Sequence, residues 1–230
     1  NMSFTRFSSN DIVNQTSKIT TSAWENNTNE LTGVFTSSVQ ADFGSPTSSG
    51  AHHIEVHFDS NLNSVQYSVA YGHRLGSGSL NFTSAVGSKG NSPTRNVYSQ
   101  YRQLVFGDET QNFNFDGHVP NDIYVININR ARYKNALRLG NLALKLSGSA
   151  GGNANGSAVH SLSLTDDSIT TSGSANDIRA GVGREFNLVS GSNGIRLGNS
   201  NTFVTNSGSY GYVYPDAGLI ILNADCLDTT

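Results

Sequence analysis

Hydrophobic positions along this chain fall mostly into short alternating runs. The longest departure from alternation is Ile123-Tyr124-Val125-Ile126-Asn127-Ile128. A run apolar on both faces predicts a central strand covered on both sides. The character then changes abruptly: Arg130, Arg132, Lys134 and Arg138 place four of the 14 Lys+Arg within nine residues. After Leu139-Gly140, Leu142, Leu144 and Leu146 alternate with Ala143 and Lys145, the pattern of a half-buried strand. The sequence therefore predicts a basic connection held between two core strands. If the chain stays extended past residue 128, Arg130, Arg132 and Lys134 converge on one side; a helical turn splays them apart. The interface expected here uses those three residues against an acidic or carbonyl-rich neighbour. The plain alternative is that one arginine pairs with Asp108, Glu109 or Asp122 and the others are solvated.

Other runs have the same grain. Ile54, Val56 and Phe58 share one strand face, with His53, Glu55 and His57 on the other. Val65, Tyr67, Val69 and Tyr71 alternate with Gln66, Ser68 and Ala70, and Asn61 and Asn63 supply turn residues before them. Residues 54–71 thus read as an antiparallel hairpin. Short strands follow at 159–164 and 185–189, with Asp166-Asp167 read as a solvated turn. Near the end, Tyr210, Tyr212 and Tyr214 are read as one strand face. Pro215-Asp216-Ala217-Gly218 then turns the chain into Leu219-Ile220-Ile221-Leu222. One helix is predicted over residues 93–105, capped by Ser92, opened by Pro93 and ended before Gly107. Its apolar face carries Val97, Tyr98, Tyr101, Leu104 and Val105. The fold class expected is all-β, a β-sandwich or related barrel of at least eight short strands, with one short α-helix.

Residues 1–50 are polar and weakly patterned. Their scattered apolar side chains, Trp24 and Phe35 among them, predict an extended N-terminal arm that docks on a neighbouring chain. Residues 45–50 read as a linker, and residues 51–230 as the β-rich structural domain.

Composition narrows the function classes. Charged residues are 13% of the chain and the formal net charge is -3. A surface so sparsely charged favours stable assembly over independent solubility. Neither the net charge nor any long basic run suggests a nucleic-acid groove. No stretch of about 18 apolar residues suggests a membrane span, and the N-terminus has no signal-peptide core. Cys226 is the only cysteine, so no intrachain disulfide forms, and it reads as a small buried hydrophobe. Sequons at Asn14, Asn26, Asn81 and Asn155 follow from the abundance of Asn, Ser and Thr and carry no weight. The row His53, Glu55, His57 has ligand types for zinc or nickel, but His73, His118 and His160 lack metal-type spacing and no site is assigned. The loop Gly72–Ser79 lacks the G-K-[ST] of a phosphate-binding loop. No nucleophile–base constellation stands out, so no enzyme activity and no cofactor are expected.

Several stretches together resemble a known family: Val69-Ala70-Tyr71-Gly72-His73 with Gly76-Ser77-Gly78-Ser79, Tyr98-Ser99-Gln100-Tyr101-Arg102, and Ile123-Tyr124-Val125-Ile126-Asn127-Ile128-Asn129-Arg130-Ala131-Arg132-Tyr133-Lys134. Val189-Ser190-Gly191-Ser192-Asn193-Gly194, Gly208-Ser209-Tyr210-Gly211 and Tyr214-Pro215-Asp216 complete the set. They resemble virion structural proteins of marine contractile-tailed bacteriophages, including cyanophages, over residues 54–222; the stretch 123–134 is the most specific. The resemblance implies a non-enzymatic tail or baseplate subunit, located in the virion and made in the host cytoplasm. Its expected partners are itself, as a homo-oligomer, and other virion structural proteins. The competing classes are a receptor- or glycan-binding tail-fibre module using the tyrosine face, and a hydrolase acting on host envelope polymer.

Overall fold

A computed structural model of the chain describes residues 33–36, 53–57, 65–76, 93–149, 159–197, 204–205 and 208–228. The first strands are β1 (Gly33–Thr36), β2 (His53–His57), β3 (Val65–His73) and β4 (Asp122–Ile128), with helix α1 (Pro93–Phe106) between β3 and β4. Then come β5 (Leu144–Ser149), β6 (Val159–Asp166), β7 (Asp177–Arg179), β8 (Gly183–Ser192) and β9 (Ile195–Arg196). The chain ends in β10 (Val204–Thr205), β11 (Gly208–Ser209), β12 (Gly211–Tyr214), β13 (Leu219–Asn223) and the short helix α2 (Ala224–Asp228). Eleven strands form one sheet in the order β1-β2-β3-β4-β13-β12-β8-β6-β5, with β7 and β9 also paired to β8. The sheet is antiparallel and curls into a half-barrel, so the chain is all-β, as its alternating runs require.

Strand β4 is central, as its apolar run demands. It pairs with β3 through Tyr71↔Tyr124 and with β13 through Ile221↔Val125. Ile123 and Val125 are buried on the face under α1, with Leu219, Ile221, Tyr98, Phe113 and Phe115. Ile126 is buried on the other face, with Ile220, Leu222, Val213, Phe186 and Leu188. Both sides of one sheet are thus packed, which explains the absence of a polar face in β4.

Helix α1 runs as its spacing requires, and Gly107 (φ 69°) ends it, donating its N–H to the Gln103 carbonyl at 2.9 Å. The helix reverses the expectation for β3. The alternate residues Gln66, Ala70 and Gly72 are buried, while Val65, Tyr67, Val69 and Tyr71 are half-buried. The reason is steric. A Cβ on Gly72 would stand 3.0 Å from the Tyr98 backbone nitrogen, so only a small-residue face admits the helix axis so close.

Two other expectations are corrected. Tyr212 and Tyr214 pack with the cluster under α1, but Tyr210 packs on the opposite side of the sheet. Gly211 intervenes with φ 146°, which breaks the alternation. The three tyrosines therefore form no common face. Asp166 and Asp167 are both buried, not solvated. The two carboxylates accept bonds from elements far away in sequence, so their place next to a turn said nothing of exposure.

Of the residues read as an arm, Gly33–Thr36 form strand β1, antiparallel to β2 and, among the described residues, at one end of the strand order. Trp24, the linker 45–50, Phe58, Asn61, Asn63, Ser92, residues 77–79 and 150–155, and the sequon residues Asn14, Asn26, Asn81 and Asn155 lie outside the described residues.

Candidate interaction surface

The basic connection is built from a turn and a tyrosine. After β4, Arg130–Arg132 form one turn of 3-10 helix, started by the Asn129 side chain accepting from the Ala131 N–H at 2.9 Å. A 3-10 turn rotates about 120° per residue, so Arg130 and Arg132 point apart. The extended geometry that would have converged the charges is not the one adopted. Arg130 folds back instead: its guanidinium lies 4.6 Å from the centre of the Tyr133 ring and donates to the Tyr133 carbonyl. Asp122, one of the acids considered for it, takes the Tyr71 hydroxyl at 3.1 Å and pairs with His73 at 3.1 Å.

This loop is pinned to the tip of the β12–β13 hairpin. Gly218 has φ 64°, and a Cβ there would stand 2.5 Å from the Tyr133 ring. Leu137 donates its N–H to the Pro215 carbonyl at 2.9 Å, and Ile128 to the Gly218 carbonyl at 2.9 Å. On the same turn, Asp216 accepts from the Arg184 side chain at 3.0 and 2.7 Å and from its backbone N–H at 2.9 Å. That bidentate pair holds the Asp216 carboxyl below its ordinary range.

The outward side of this end of the fold is cationic. Arg130, Lys134 and Arg138 are exposed and Arg132 is half-buried. Between Asp122 and Asp166 the chain has no carboxylate at all, but it has Arg130, Arg132, Lys134, Arg138 and Lys145. With the loop fixed by Tyr133 and Leu137, its backbone entropy is already spent before any partner arrives. Phe35 lies on strand β1, with its backbone opposite Glu55. Trp24 falls outside the described residues, and of the five residues expected at an interface only Arg130, Arg132 and Lys134 have described side chains. Tyr133 of the loop, Arg184 of β8 and Asp216 of the hairpin tip, which hold this end of the fold together, were missed. Tyr133 had a sequence signal, an aromatic directly beside a cationic cluster; nothing in sequence links Arg184 to Asp216.

The remaining titratable groups act as internal latches. Buried Glu185 accepts from the Tyr214 hydroxyl at 2.8 Å and from Arg179 Nε at 3.1 Å, and Arg179 also pairs with Asp177 at 3.1 Å. Asp166 accepts from the Gly140 N–H at 2.9 Å, the Ser168 N–H at 3.3 Å and the Ser168 hydroxyl. Asp167 accepts from the Asn187 backbone and side-chain amides at 3.1 and 2.9 Å; burial pushes its carboxyl up, opposed by those two bonds. His118 and Asp225 meet at 2.6 Å, tying the Phe115 loop to α2. The Cys226 thiol is buried and donates to the Gly208 carbonyl at 3.2 Å. On β2, His53 and Glu55 meet at 3.4 Å, and a register shift between Val56 and His57 interrupts the polar row. No group of three or more His, Cys, Asp or Glu placed to hold a metal ion occurs among the described residues.

Burial, and then the Glu185 carboxylate, hold the Tyr214 phenol well above its ordinary value of 10.0. The folded state thus keeps a proton that the unfolded chain releases. This contribution is fully present below the unfolded value and is lost as pH rises past it toward the folded value. Buried Tyr98 and half-buried Tyr101 shift the same way through desolvation. The melting temperature is expected to fall steeply above pH of about 10, with phenolate absorbance rising cooperatively at unfolding. Phenolate absorbance rising fully in the folded protein would contradict this.

Comparison with protein-family models, curated proteins and solved structures gave no match.

Proposed function

We propose that this chain is a non-enzymatic structural subunit of a bacteriophage virion, in the tail or baseplate, and that its basic turn meets an acidic or carbonyl-rich surface on an adjacent virion protein. The observation that carries the reading is a coincidence in one segment. Residues 123–134, the most specific part of the family resemblance, are also the central strand and the pinned basic turn. A segment that sets both the core and an outward charged feature suits a subunit whose contacts are repeated many times. The low charge of the rest of the chain supports the same reading. The glycan-binding alternative loses its motive, because Tyr214 is fully buried and Tyr210 lies on the other side of the sheet.

Lys134→Glu with Arg138→Glu tests the contact, since both side chains are exposed and neither braces the turn. The double variant is expected to melt within about 0.5 kcal/mol of the parent, as exposed substitutions do, yet to be depleted from assembled particles. Normal incorporation would remove the basic turn from the interface.

A further inference from the structure

We infer that Asn193, in the turn between β8 and β9, is a site of spontaneous backbone modification, and that buried Thr165 governs how fast it reacts. The chemistry is intramolecular and independent of any partner. The Gly194 backbone nitrogen loses its proton and attacks the Asn193 side-chain carbonyl carbon, Cγ. A bond forms between that nitrogen and Cγ, the bond from Cγ to Nδ2 breaks, and ammonia leaves with the proton. Water then opens the cyclic imide at either carbonyl, leaving aspartate or isoaspartate at position 193. Glycine after the asparagine favours the reaction, because no Cβ crowds the ring as it closes. The sequence sets Asn before Gly at two places, residues 155–156 and 193–194, and the second pair lies among the described residues.

The fold both requires this pair and restrains it. The register Gly191↔Arg196 and Ser192↔Ile195 leaves Asn193 and Gly194 as a two-residue turn. Their φ angles are 51° and 75°, the left-handed conformation for which Asn-Gly is the preferred pair. Asn193 is exposed, so ammonia can leave and water can enter. The attacking nitrogen is not free. The Gly194 N–H donates at 2.7 Å to the hydroxyl of Thr165, which is fully buried on β6. Removing that proton breaks a buried hydrogen bond and leaves a charge in a site without water. The turn is also held down on its other bonds. The Asn193 N–H donates to the Leu142 carbonyl at 2.9 Å. A Cβ on Gly194 would stand 2.2 Å from Ile169 Cδ1 and 2.9 Å from the Gly140 carbonyl oxygen. With the turn so docked, the peptide between 193 and 194 has no room to swing toward Cγ. Reaction therefore proceeds through local opening of the turn, and Thr165 supplies the side-chain bond that opposes it. Isoaspartate adds a backbone methylene, which the same crowding excludes from the docked turn.

The full chain is incubated at mildly alkaline pH, folded and in urea, and position 193 is followed by peptide mass spectrometry. Isoaspartate is confirmed by enzymatic methylation of its carboxylate. In urea, Asn155 is the internal clock, since it carries the same dipeptide in the same tube, and Asn193 is expected to keep pace with it. In the folded parent Asn193 is expected to react far more slowly than in urea. Folded Thr165→Val is expected to react about tenfold faster than the folded parent, the equivalent of one lost hydrogen bond. Thr165→Ser retains the hydroxyl and is expected to retain the slow rate, and all three chains are expected to react alike in urea. An unchanged rate in folded Thr165→Val overturns the role of Thr165. Equal rates for the folded parent and the chain in urea overturn the restraint, and an Asn193 that stays intact in urea overturns the site. If Thr165→Val does not fold, hydrogen exchange at the Gly194 amide of the parent decides: slow exchange supports the Thr165 bond, and exchange at the rate of an open peptide overturns it.

Discussion

Gly211→Ala is expected to destabilise the fold by about 3–5 kcal/mol, adding a backbone-strain cost to a steric one. The residue has φ 146°, and a Cβ there would stand 2.1 Å from the Ile221 carbonyl oxygen. That oxygen belongs to β13, the direct neighbour of β4, so the clash falls at the middle of the sheet. The neighbouring backbone has no free side to yield to, because Ile221 and Leu222 are buried in the two clusters on opposite faces. Gly107→Ala is the matched control. It too has positive φ, at 69°, but a Cβ there meets nothing within 4 Å, and its cost is expected to be about 1–2 kcal/mol. Urea unfolding followed by circular dichroism separates the two, and equal costs would mean that conformation alone, without the clash, governs position 211.

Glu185→Ala is expected to cost about 3 kcal/mol, because the two donors on Glu185 lose their acceptor together. The Tyr214 hydroxyl is fully buried and is left unsatisfied, while Arg179 keeps Asp177 and partial contact with water. A stranded buried donor costs about 1–3 kcal/mol, and the lost charged bond adds a similar amount. Two further variants test this account. Glu185→Gln is expected to recover part of the loss, since both donors reach one oxygen of Glu185 and an amide oxygen there still accepts them, without the charge. Glu185→Leu with Tyr214→Phe removes donor and acceptor together and is expected to be milder than Glu185→Ala alone. A double variant as damaging as the sum of its parts would show that Glu185 acts through packing and not through its bonds.

What could be read from sequence was whatever depends on local pattern. The two-sided apolar run of β4, the proline start and glycine end of α1, and the Pro-Asp-Ala-Gly turn between β12 and β13 were all legible, because each is specified within a few residues. What could not be read depends on which element covers which face. Alternation in β3 marks two faces but does not say that α1 lies over the smaller one, where Ala70 and Gly72 admit it. Tyr210, Tyr212 and Tyr214 have strand spacing, and only the backbone at Gly211 turns the first away from the others. Asp166-Asp167 reads as a turn, yet its partners, Gly140 and Asn187, are more than 19 residues distant in sequence. The candidate surface was legible as charge and not as geometry. The cluster Arg130, Arg132, Lys134 is plain in the chain, but its fixation by Tyr133 on Gly218 is tertiary.

The central claim, that this chain is an assembled part of a bacteriophage particle, is tested most directly by quantitative mass spectrometry of purified particles from cells expressing its gene during infection. The account predicts the chain at a fixed integer copy number per particle, unchanged by repeated banding and a high-salt wash, and co-purifying with isolated tails or baseplates. Its absence from purified particles, with the protein left soluble in the lysate, would contradict the account.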